Sequence, residues 1–219
     1  MHAAGVGLAL TGMIQVTSLT GRLPEFQSTS VWIYAIGLVA MFSISAVYNI
    51  WPVSSTKLVL RRFDHATIYL FIAATYTPFI AHAEQSAFIT ALLVFIWAAA
   101  GFGVVLKVAF PGRCEPLGVL LCVALGWSGL LVYDAVFSPL PATTVGFIVG
   151  GGVLYSSGVV FHLWDSMRFQ NAVWHAFVIS AAVFQFLAVF NLVSTAASAA
   201  GKDAERVSFE PKGATKPRL

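Results

Sequence analysis

Long apolar runs, each ended by a short polar or turn-forming stretch, set the pattern of this chain. The runs cover roughly His2–Leu19, Ser30–Trp51, Asp64–Ala81, Ala87–Val108, Leu117–Ala135, Thr143–Leu163 and Asn171–Ser194. Each approaches the ~20 residues that a helix needs to cross a bilayer. Between them stand Thr20-Gly21-Arg22-Leu23-Pro24, Pro52-Val53-Ser54-Ser55, Pro111-Gly112-Arg113 and Ser138-Pro139-Leu140-Pro141, whose Gly, Pro and Ser are turn residues. The break from His82 to Ser86 is shorter. The pattern predicts an all-α polytopic membrane protein, a seven-transmembrane helix bundle over residues 1–200. From 201 to 219 the composition turns charged, with Pro and Gly, and predicts a disordered tail. The first run reads as a retained span rather than a secretory leader, because no Lys or Arg precedes Arg22.

Composition closes off the soluble classes. Hydrophobic residues make up 58% of the chain and charged residues 10%, against about a quarter charged in soluble domains. That is too few charges to cover a water-exposed surface. The net charge of +3 does not signal nucleic acid, since no stretch interleaves basic residues with exposed aromatics. Membrane lipids are the expected partners, and a homo-oligomer is left open. The two cysteines, Cys114 near a loop and Cys122 inside an apolar run, are too few for a disulfide framework and imply no redox role.

Basic residues give the orientation. With the N-terminus in the cytoplasm, the second, fourth and sixth breaks are cytoplasmic and carry Lys57, Arg61, Arg62, Lys107, Arg113 and Arg168. The opposite breaks carry only Arg22. Six against one predicts N-in at the bacterial inner membrane and a periplasmic C-terminus. The tail basics oppose this, but they are diluted by Asp203, Glu205 and Glu210. Trp32, Trp51, Trp164 and Trp174 fall near span ends as interfacial anchors, while Trp97 and Trp127 lie deeper and read as packing residues. Small residues, as in Gly146-xxx-Gly150 with Gly151, Gly152 and Gly158, predict close helix approach.

That orientation brings several polar residues to one depth. Ser45 and Asn49 stand one turn apart at the end of the second span, Asp64 and His65 open the third, and Asn171 and His175 open the seventh. Residues four apart share a helix face, so Ser45, Asn49, Asp64, Asn171 and His175 are candidates to line one ligand-binding pocket near the cytoplasmic leaflet. Ionisable groups at such depth are costly and usually have partners. Each also has a plainer reading. Asp64 suits a helix N-cap as well as a pocket, Ser45 can bond its own backbone, and Asn49 and Asn171 can join helices by hydrogen bonds. His65 faces either the interface or a neighbouring helix. His2, His82 and His162 sit near span ends, where water or headgroups satisfy an imidazole, and receive no chemistry. Tyr48, Tyr69, Tyr76 and Tyr155 need hydroxyl partners and are weaker candidates for the same cavity.

Four stretches resemble the hemolysin III family, the bacterial branch of a seven-helix membrane group that includes the adiponectin and progestin receptors. They are Ser45-Ala46-Val47-Tyr48-Asn49, the run from Asp64-His65-xx-Ile68-Tyr69 to Thr75-Tyr76-Thr77-Pro78, Gly151-Gly152-Val153-Leu154-Tyr155-Ser156-Ser157-Gly158, and Trp174-His175-xx-Val178. The resemblance extends from about His2 to Phe190 and implies seven helices with a cytoplasmic N-terminus. It also implies a site in which three histidines bind zinc and an aspartate holds a water near the metal, with a serine beside them. Here the serine matches as Ser45, the aspartate as Asp64 and the last histidine as His175, but the other two ligand positions read Asn49 and Asn171. An amide oxygen is a weak zinc ligand compared with imidazole, so no metal or other cofactor is expected. Gln185 stands where relatives often have a further histidine.

The expected function is therefore an integral membrane protein that binds a lipid-like ligand or alters membrane permeability, as the family's pore or cytolytic label suggests. Catalytic residues are not assigned, and the incomplete ligand set weighs against an enzyme. The alternative is a metal-dependent lipid amide hydrolase built on Asp64 and His175.

Overall fold

The structure, a computed structural model, describes residues 2–110, 115–164 and 166–209. Among them there is no strand. The helices are α1 (His2–Thr17), α2 (Glu25–Ile50), α3 (Ser55–His82), α4 (Ala87–Ala109), α5 (Glu115–Trp127), the short α6 (Tyr133–Val136), α7 (Ala142–His162) and α8 (Gln170–Phe209). A 3-10 segment, Ser128–Val132, joins α5 to α6, so the fifth span is one crossing with a break in it. Six crossings are apolar and long enough to span a bilayer, and α3, with 28 residues, makes the seventh. Their outer faces suit lipid: Ile14, Phe95, Leu120 and Val160 are all more than half exposed. Cys114 and the Pro111-Gly112-Arg113 break lie outside the described residues. The helix of α8 continues past Gly201, where the tail was expected to begin, as far as Phe209.

Helix α3 is the axis of the bundle. From Ala66 to Ala81 most of its side chains are buried, and it packs along α2 and α4 and touches α5 and α8. Its low hydropathy follows from that position. An enclosed helix presents little surface to lipid and tolerates Thr67, Tyr69, Tyr76 and Thr77, all buried. The start of α3 corrects the expected boundary at Asp64. The Ser54 side chain accepts a hydrogen bond from the Lys57 backbone N–H and caps the helix in the usual way. Lys57, Arg61 and Arg62 are thus helical rather than loop. Long cationic side chains reach water or headgroups from inside a helix, and the charges do not end it. Asp64 therefore stands in the third turn, about 14 Å along α3, and is not a cap.

Glycines set where the remaining helices meet. A Cβ at Gly150, Gly151 or Gly158 of α7 would lie within 3 Å of Phe184, Gln185 or Phe177 of α8. Gly146, by contrast, faces open space and takes no part in that seam. Helices α1 and α8 run parallel: His2 stands against His175 at one end, and Gly12 meets Phe186 farther in. The two inner tryptophans are tied across helices, as packing residues of this kind need. Trp97 donates to the Thr77 hydroxyl at 3.2 Å and Trp127 to the Ser156 hydroxyl at 2.9 Å.

Candidate functional site at the polar end

The end of the bundle at which α1, α3 and α8 begin and α2 and α7 finish collects the polar residues. On its α2–α3 side the Ser45 hydroxyl stands beside the Asp64 carboxylate. Asp64 is half-buried in the third turn of α3, away from the charged first turns. One turn on from Ser45, Asn49 is half-buried, but its amide N–H donates to the Ser45 carbonyl of its own helix at 2.8 Å. Lys57 closes this corner by donating to the Trp51 carbonyl at 2.7 Å, with its ammonium 5.4 Å from the Tyr48 ring centre. Replacing Asp64 by leucine leaves the Ser45 hydroxyl without its acceptor. The expected loss of bundle stability is about 1–3 kcal/mol. A thermal-unfolding midpoint in detergent unchanged from wild type would remove the pair from the account.

The α8 side is built from rings. His175 is half-buried, and its ring meets that of His2 edge to face, with centroids 4.5 Å apart at 82°. Across the mouth, His65 of α3 and His162 of α7 stand 6.4 Å apart at 86°, and Trp174 of α8 lies 4.9 Å from His162. The turn that holds α8 here is tight: the Gln170 side-chain amide donates to the His162 carbonyl, and Phe169 adopts φ 66. Asn171, on the first turn of α8, is exposed. Of the five predicted residues, Ser45 touches Asp64 and His175 touches His2. Asn49 is turned onto its own helix and Asn171 faces out.

Sequence reasoning gave no chemistry to two of the residues gathered here. His2 and His162 were expected to be satisfied by water or headgroups at span ends, and each also stands beside another imidazole. His65 faces a neighbouring helix. Tyr48 stays at this end beside Lys57, and the other tyrosines go elsewhere. Tyr69 and Tyr76 donate to the Gly118 and Gly126 carbonyls of α5, and Tyr34 and Tyr155 bury hydroxyls with no hydrogen-bond partner in the interior. Gln185, 9% exposed, donates to the Ile148 carbonyl of α7 at 3.2 Å. His82 uses Nδ1 on the Pro78 carbonyl at 2.7 Å, at the other end of α3.

A family model described as haemolysin-III related matches residues 1–186. Among curated proteins, the chain is similar to "Hemolysin-3 homolog" of Bacillus subtilis (strain 168), with 27% identity over 86% of this chain and 89% of that one. It is 28% identical to "Hemolysin-3" of Bacillus cereus over 76% of each chain. It is also 30% identical to "Monocyte to macrophage differentiation factor" of Homo sapiens, over 86% of this chain and 80% of the relative. No solved structure matches.

Proposed function

The chain belongs to the haemolysin-III related family, and from that premise we propose that it binds a lipid-like molecule at its polar end and thereby alters the permeability of the membrane. The observation that carries this reading is the gathering of hydroxyl, carboxylate and imidazole groups at one end of the bundle: Ser45 with Asp64, and His2 with His175. An amphipathic ligand has the complementary form. Its polar group meets hydroxyl, carboxylate and imidazole partners, while its chain lies along the lipid-facing helices. The hemolysin names of the bacterial relatives support permeability as the readout.

The test uses full-length protein in liposomes loaded with a self-quenching dye. Dye release above that of empty liposomes is expected, together with lipid co-purification that falls in His175→Ala. Tight liposomes and no co-purifying lipid would end the proposal. The rival reading, a metal-dependent lipid amide hydrolase, draws on the Ser45–Asp64 contact; release of free fatty acid from a lipid amide would select it.

The same reading places the polar end at the cytoplasmic face of the bacterial inner membrane. Supporting it are Lys57, Arg61 and Arg62 on the first turns of α3 and Arg168 before α8, against Arg22 at the far end. A reporter fused after Leu219 is expected to be active in its periplasmic form only. Activity of the cytoplasmic form alone would invert the molecule.

A further inference from the structure

By resemblance, a zinc ion would sit among the positions of Asn49, Asn171 and His175, and the donors present do not fit one. Zinc takes about four donors near 2 Å, drawn from imidazole, thiolate and carboxylate. The Asn49 amide donates to its own helix, Asn171 is exposed, and His175 is the single imidazole of the three. Among the described residues no group of three or more His, Cys, Asp or Glu lies together as a metal cage.

We propose that ring packing replaces metal coordination as the tie that closes the polar end of this bundle. His2 against His175 joins α1 to α8, and His65 against His162 joins α3 to α7, with Trp174 of α8 beside His162. A ring edge carries partial positive charge and a ring face carries π density, so the perpendicular arrangement is attractive without any ion. The placement suits this role. The parallel seam of α1 and α8 is already close at Gly12 and Phe186, and the His2–His175 pair fixes the same seam at its mouth. Four helices are thereby joined by ring contacts, and of the rings involved His175 alone matches a ligand position. The inference deepens the reading of the polar end as the ligand site and concerns what holds that site together, not what it binds.

The experiment uses the full chain, without a histidine tag, in lipid nanodiscs. Elemental analysis is expected to find well under one zinc per chain, and the thermal midpoint is expected to be the same with chelator and with added zinc. His2→Ala lowers that midpoint, equally in both conditions. His2→Phe keeps a ring and removes the nitrogen donor, and it is expected to hold the wild-type midpoint. Stoichiometric zinc that survives chelation, or a wild-type midpoint that chelator lowers, would overturn the proposal. So would His2→Phe losing as much as His2→Ala. If the variants do not fold, the zinc content and chelator response of the wild type still decide it. Lipid binding is read separately, so its failure leaves this result interpretable.

Discussion

Gly103→Ala is expected to weaken the bundle by about 2–3 kcal/mol, and Gly103→Val to yield no folded protein, because the space for a side chain is already filled by Tyr69. A Cβ at Gly103 would stand 2.3 Å from Cδ1, 2.5 Å from Cε1 and 2.7 Å from Cγ of that ring. Real contacts of this kind require a shift of more than an ångström, and Tyr69 has nowhere to go. Its side chain is 1% exposed, and its hydroxyl donates to the Gly118 carbonyl at 2.6 Å. Moving the ring breaks the hold of α3 on α5, and moving α4 opens the α3–α4 seam. The control lies in the same helix: Gly101 faces open space, so Gly101→Ala adds no clash and is expected to be neutral or to gain up to about 1 kcal/mol from lower backbone entropy. Denaturation of the two alanine variants in matched detergent, with the yield of folded Gly103→Val, separates the outcomes. Equal stability of Gly101→Ala and Gly103→Ala would show that α4 does not pack on Tyr69 as described.

The span pattern was legible because a bilayer imposes a length and an apolar surface on every lipid-facing helix. The middles of α1, α2, α4, α7 and α8 fall where the apolar runs lie, with ends differing by a few residues except at the far end of α8, which runs on to Phe209. Two features escaped for physical reasons. Hydropathy stops at the charges of Lys57, Arg61 and Arg62, but a helix starts where its first N–H groups find a partner, which here is Ser54. The second is the break between α5 and α6. Gly126 and Gly129 mark it in the sequence, yet glycines in a membrane span usually serve close packing. What makes them a break is the Tyr76 hydroxyl, brought by another helix.

The candidate site divides the same way. Spacing within a helix places Ser45 one turn from Asn49, and Asn171 one turn from His175, but it does not say which helices touch. Contacts such as His2 with His175 and His65 with His162 depend on how α1 sits beside α8 and α3 beside α7. Read one at a time, a histidine at a span end is satisfied by headgroups, so its charge and position carry no sign of a ring partner. That Asn49 and Asn171 are amides is visible from residue type alone. That Asn49 turns back to the Ser45 carbonyl is not.

Tyr76→Phe is expected to cost about 2–3 kcal/mol, because one oxygen serves two backbone groups at the break. The hydroxyl donates to the Gly126 carbonyl at 2.7 Å and accepts from the Gly129 N–H at 2.8 Å. Both groups belong to the stretch where α5 gives way to the 3-10 segment and helical partners run short. The residue is buried, so no water replaces the lost oxygen. Phenylalanine fills the same volume and leaves both groups unpaired, which isolates the hydrogen bonds from packing. Tyr69→Phe is the comparison: it removes the bond to the Gly118 carbonyl inside the regular α5 helix and leaves the Gly126 and Gly129 groups untouched. Chemical denaturation ranks the two variants. Amide exchange at Gly129 should accelerate in Tyr76→Phe and stay at the wild-type rate in Tyr69→Phe. Unchanged exchange at Gly129 in Tyr76→Phe would mean that another partner holds the break, and that α3 is not what keeps the fifth crossing in place.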